Sequence, residues 1–147
     1  MRLLHLNKNV DHKMNNHKNR DYMNVALWII QLMLAAVFLA GGIMKAFNYE
    51  TARMNISWVK DVPKELVRFI GISEIIGCIG LLLPGITGKL QILTSVAAIG
   101  LCVIMILGIG LHIYRGEFSL IVVNVILFSL AAFVAYGRWQ ACKPAKF

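Results

Sequence analysis

Charge is missing from this sequence where a soluble helical protein needs it most. Across residues 25–44, 66–83, 92–111 and 120–136 no charged face recurs at the spacing of a helix turned toward water, which excludes a water-soluble helical bundle. Cysteine is scarce: Cys78, Cys102 and Cys142 share no CxxC spacing, so neither a disulfide framework nor a zinc signature is present. Cys78 and Cys102 read as small apolar packing residues and Cys142 as a free thiol. Of the 4 histidines only His112 adjoins an apolar stretch, which excludes a bis-imidazole haem. His5, His12 and His17 fall in a polar segment where spacing fixes no metal geometry. Neither a Gly-rich phosphate loop nor a nucleophile elbow occurs, so catalytic residues are unknown and any enzyme here would borrow its cofactor.

What the sequence has is apolar length. Its 147 residues are 59% hydrophobic, with a mean hydropathy of +0.70. About 20 apolar residues suffice for one helical crossing of a bilayer, and the four stretches meet or approach that length. The expectation is an all-α polytopic membrane protein, a four-transmembrane-helix antiparallel bundle over 25–137. A polar, Asn- and Lys-rich tail precedes it at 1–24 and reads as disordered; a basic tail follows at 138–147. Met14 or Met23 is an alternative start. The first span is too long and too far along the chain for a cleaved signal, and should remain as an anchor.

The formal charge of +8 sits between the spans and at the ends, a topology signal and not a phosphate-binding face, so nucleic acid is not an expected partner. With the N-terminus inside, nine basic residues fall on that side and six on the other. Both termini are therefore expected in the cytoplasm, with the protein multi-pass in the cell membrane.

The polar residues inside the spans carry the functional reading. Gln31, Ala35, Phe38, Gly42 and Lys45 share one helical face, which should pack into the bundle and makes Gln31, with Lys45, a candidate for a polar crevice there. The connection over 46–65 holds Trp58, an interfacial anchor. Pro63 suits the first turn of the second span, and Pro84 with Gly85 should stop it. Glu74 stands within that span, where a charged side chain costs about 2.5 to 3.5 kcal/mol on insertion scales, so something must compensate for it. The third span ends at His112, and Arg115, Gly116 and Glu117 form a tight hairpin into the fourth, whose polar interior residue is Asn124. Helical rise places Glu74 and Asn124 at the floor of a crevice open to the non-cytoplasmic side, with His112, Glu117, Arg115 and Lys45 at its mouth. On that arithmetic Lys45 lies roughly 10 Å above Glu74, so a direct pair needs both side chains to stretch or the helices to tilt, and is possible but not expected. The competing reading gives Glu74 and Asn124 a purely structural role as hydrogen bonds between helices.

The residues Trp28, Gln31, Gly42 and Lys45, then Gly71, Glu74, Gly77, Gly80 and Pro84, then His112, Arg115, Gly116, Glu117 and Asn124, in this order and spacing, resemble the DoxX-like membrane proteins. The resemblance runs from about Trp28 to Arg138 and implies a compact four-helix membrane bundle. The family is named for a subunit of a thiosulfate:quinone oxidoreductase, and its relatives are described as membrane partners of redox or stress-response systems. It implies a membrane subunit or accessory of a quinone-linked system, with a quinone in the crevice, no intrinsic cofactor, and a redox or other membrane-protein partner. Two alternatives stand beside it: a non-enzymatic assembly protein, whose small-residue pairs Ser73 with Gly77 and Gly41 with Gly42 also serve partner helices, and a proton-coupled binder or transporter of a small lipophilic compound. Four short helices leave little room for alternating access unless the chain forms a homo-oligomer.

Overall fold

The computed structural model describes residues 2–88 and 92–142, with side chains described at residue 14 and from residue 18 onward within those ranges. The described residues are helical throughout their regular structure: α1 (Arg2–Phe47), a short α2 (Tyr49–Asn55), a 3-10 turn (Ser57–Asp61), α3 (Lys64–Thr87), α4 (Ile92–Arg115) and α5 (Phe118–Ala141). Four helices are long and apolar enough to cross a membrane: Lys18–Phe47, Lys64–Thr87, Ile92–Arg115 and Phe118–Ala141. The chain is a four-helix membrane bundle in which α1 packs on α3 and α5, and α4 closes the ring against the same two.

Each helix outruns the apolar stretch that marks it, because lipid contact and helix ends answer to different residues. No glycine or proline occurs before Gly41, so nothing interrupts α1 on its polar side. Once the membrane segment has supplied the nucleus, each further turn adds a hydrogen bond per residue fixed. The polar segment 1–24, expected to be disordered, accordingly continues as helix from Arg2. Side chains of His5, His12 and His17 lie outside the described residues. Likewise α3 does not stop at Pro84; it runs to Thr87 and ends on Gly88, whose φ of 68° is the left-handed cap that glycine adopts without strain. A proline inside a membrane helix is tolerated when a neighbouring helix satisfies the backbone groups it frees. Pro84 leaves the Gly80 carbonyl without its helical donor, and in the same turn Gln31 of α1 donates its side-chain N–H to the next carbonyl, that of Leu81, 2.6 Å away.

The core is thin, as lipid permits. Leu34, Leu81, Leu101 and Val134 are almost wholly enclosed, while Ile72, Ile76, Ile79 and Leu83 along the outer side of α3 stay exposed. A surface so apolar is stable only against hydrocarbon. The expected inward face of α1 is borne out: Gln31, Ala35, Phe38, Gly42 and Lys45 are all buried.

With no hydrophobic drive between helices in lipid, close packing must hold them. A Cβ placed on Gly71 would stand 2.7 Å from both the Ala46 amide nitrogen and the Gly42 carbonyl oxygen, so α1 and α3 touch backbone to backbone. Gly77 makes room for Leu101 in the same manner. Gly42 and Gly77, read from sequence as also serving partner helices, are thus filled from within the bundle. Gly71→Ala is expected to push α1 off α3 and cost about 1 to 3 kcal/mol. Gly100→Ala, which meets nothing within 4 Å, should be neutral. Thermal unfolding of the two variants in the same detergent checks this, and equal melting temperatures would refute the glycine contact.

Candidate functional site

The α1–α3 contact sets two charged side chains against each other. Glu74, only 3% exposed, accepts a hydrogen bond from the Lys45 ammonium at 2.5 Å through Oε1. The direct pair that rise arithmetic discouraged is therefore made. In an α-helix every Cα–Cβ bond leans toward the N-terminus. Since α1 and α3 run in opposite directions, Lys45 leans down into the bundle and Glu74 leans up toward the rim. The Trp58 ring covers the ammonium from above, 5.8 Å from centroid to nitrogen. The other carboxylate oxygen, Glu74 Oε2, is buried with no partner.

Beside this pair lies a cavity of about 420 Å³ between α3 and α4. Lys45, Glu74, Ser73, His112 and Asn124 supply its polar lining, and Trp58 and Val62 roof it. Its remaining wall is apolar, including Ile70, Ile104 and Met105. Leu66, Phe69 and Leu107 also line it yet are 48%, 66% and 69% exposed, so the cavity opens sideways, toward the hydrocarbon of the bilayer. The sequence reading had placed its opening at the rim. Asn124 reaches the cavity across Gly108, where a Cβ would stand 2.9 Å from its amide nitrogen. Glu74 and Asn124 share the chamber and are not hydrogen-bonded to each other.

The rim is occupied by a clasp. Glu117 accepts from Arg115 Nη2 at 2.9 Å, from Ser57 Oγ at 2.9 Å and from His112 Nδ1 at 2.7 Å. Arg115 also pairs with Asp61. Gly116, at a φ of 69°, makes the turn that brings Arg115 and Glu117 back over His112. The hydrogen bonds from Arg115 and His112 hold the Glu117 carboxyl down at about 2. An ionised carboxylate only accepts, so Nδ1 of His112 is the donor in this contact, which fixes the ring of a residue on the cavity wall. Arg115 and Glu117 stand above the cavity and do not line it. Among the described residues no group of three or more His, Cys, Asp or Glu could hold a metal ion.

A family model described as the DoxX-like family matches residues 29–134. The chain belongs to the DoxX-like family. No curated protein and no solved structure matches it. The match encloses Lys45, Glu74, His112, Glu117 and Asn124.

One expected site residue is elsewhere in this DoxX-like protein. Gln31 shares the face of Lys45 but lies four turns away, at the end of the bundle that carries both termini. There its carbonyl oxygen accepts from Arg138 Nε at 2.7 Å. Arg138 had been read as part of a basic tail; it is 9% exposed and held inside the bundle by α1. A basic residue beside Trp139 at the end of an apolar run looks like an interfacial anchor, and only its spacing from Ala131 and Val134, on the buried face, could have indicated otherwise.

The clasp has a definite pH dependence. Because the folded carboxyl of Glu117 titrates at about 2, below its ordinary value of 4.5, its contribution is complete above pH 4.5 and is lost as pH falls toward 2. In a Trp28→Phe, Trp139→Phe background, quenching of Trp58 fluorescence by acrylamide should be low at neutral pH and rise across that window. Glu117→Gln should show the raised quenching already at pH 7. A profile that is the same with and without Glu117 would remove the clasp as the cause.

Proposed function

We propose that this DoxX-like protein is a membrane subunit or accessory of a quinone-linked redox system, holding a quinone or quinol head group in the cavity between α3 and α4. The observation that carries this reading is Glu74, on the wall of a largely apolar chamber open to lipid, whose Oε2 is a buried acceptor with no partner. A buried acceptor left unmade is costly, and a ligand hydroxyl would satisfy it. The chamber is of the size of small-molecule sites, roughly 300 to 1,000 Å³. Entry from hydrocarbon favours a lipid-soluble ligand over a water-soluble one.

On this reading Glu74 and Asn124 orient the head group and Lys45 keeps Glu74 in place. His112 is the second titratable group on the chamber wall, with Glu117 fixing its ring. A bound quinone would supply two-electron, two-proton chemistry. The protein's own side chains bind and exchange protons only; electrons pass to or from a partner protein.

Mass spectrometry of all that co-purifies in mild detergent tests this. Wild type should retain near-stoichiometric quinone, and Glu74→Gln should lose it. Breaking a buried ion pair from one side costs about 3 to 5 kcal/mol, whereas replacing both partners by apolar groups of similar volume is close to neutral. Lys45→Met with Glu74→Leu should therefore restore stability relative to Lys45→Met alone, yet remain without quinone. A stable double variant that still binds quinone would refute the site. A protein partner with no small molecule would instead favour the assembly role.

A further inference from the structure

At the opposite end of the bundle from the cavity, Arg138 is a buried cation that pairs with no carboxylate among the described residues. Its Nε donates to Gln31 Oε1 at 2.7 Å and its Nη1 to Asn24 Oδ1 at 2.8 Å, both neutral amide oxygens. Its Nη2 is buried without a partner, and among the described residues no carboxylate pairs with it. The guanidinium stacks on the Trp28 ring at 5.3 Å. This cradle is built and rigid. Gln31 is tied to the Leu81 carbonyl, and the Trp28 ring is seated against Gly85, where any Cβ would come within 2.6 Å of it. Trp28, Asn24 and Arg138 all lie outside the segment that the family model matches.

The geometry points to a binding site for the phosphodiester of an anionic phospholipid at Arg138. Nη1 and Nη2 are the two prongs of a guanidinium fork, the arrangement that suits paired phosphate oxygens. Nη2 is unpaired but enclosed, and Nη1 is held by Asn24, an exposed residue whose amide can turn aside to admit a phosphate. A lipid phosphate in that position would give the fork the charged acceptor it lacks and remove the unpaired donor. Tyr22, Tyr136 and Trp139 are exposed at this end, at the depth where aromatic side chains meet lipid headgroups.

Charge favours the same ligand. The segments that start or finish at this end hold nine Lys and Arg against two acidic residues, Asp11 and Asp21; those at the cavity end hold six against five. By sequence, nearly all of the net charge of +8 belongs to the segments that begin or finish there, and basic segments beside a membrane concentrate anionic lipid. This site is independent of the quinone reading, since it shares no residue with the cavity.

The test is a titration of the detergent-solubilised full chain with phosphatidylglycerol, phosphatidylcholine or inorganic phosphate, read as the shift in thermal unfolding. Phosphatidylglycerol should stabilise wild type at lower concentration than phosphatidylcholine, and Arg138→Gln should raise its half-saturating concentration about ten-fold. Asn24→Ala, at an exposed position, should lower that concentration by uncovering Nη1, and serves if Arg138→Gln does not fold. Wild type and Arg138→Gln responding alike, or Asn24→Ala weakening the response, would overturn the site. Inorganic phosphate matching phosphatidylglycerol at equal concentration would overturn the lipid assignment in favour of a soluble phosphate.

Discussion

The ion pair between Lys45 and Glu74 is the interaction around which the cavity end of the bundle is arranged. Two charges removed from water must meet with good geometry, and hydrocarbon offers neither of them a substitute. They meet because Gly42 and Gly71 let the α1 and α3 backbones touch one turn away. They remain shielded because Trp58 and Val62 close over them. A larger residue at either glycine would separate the helices and strand both charges. The pair satisfies only half of the carboxylate, and the other oxygen is left buried without a partner.

The two ends of the bundle handle polar groups differently. At the cavity end, charge is matched by charge: Lys45 with Glu74, and Arg115 with Asp61 and Glu117. At the termini end, neutral amides hold Arg138, which pairs with no carboxylate among the described residues. Pro84 loosens the α3 backbone, Gln31 caps a carbonyl in that turn, and the other side of the same amide fixes Arg138. The proline that ought to end a helix instead anchors a polar connection through three helices.

The membrane fold was legible because apolar length is a strong signal that no soluble alternative reproduces. The inward face of α1 was legible from helical periodicity. What periodicity cannot supply is the level at which two helices touch. Glu74 and Lys45 were set about 10 Å apart by counting rise from a flat rim. The rim is not flat: α3 begins above the end of α1, and the glycine contact sets Glu74 near the level of Gly42. The same counting grouped Gln31 with the crevice because it shares a face with Lys45, although the face is long enough to serve both ends. Arg138 was missed because a basic residue near an aromatic at the end of a span carries the same sequence signature whether it faces water or turns inward.

The cavity's opening bears on how any ligand bound there would meet a redox partner. Leu66, Phe69 and Leu107 present the entrance to lipid, whereas the clasp of Ser57, Asp61, Arg115 and Glu117 covers the aqueous side. On the proposed reading, a lipid-soluble molecule comes and goes without disturbing the clasp, and a proton from its head group leaves through protein. Glu74 is enclosed and tied to Lys45. His112 lines the chamber and is bonded to Glu117, which is in turn held by groups at the aqueous rim. On the proposed reading, ligand exchange and proton exchange thus use different faces of one chamber, and the clasp belongs to the second.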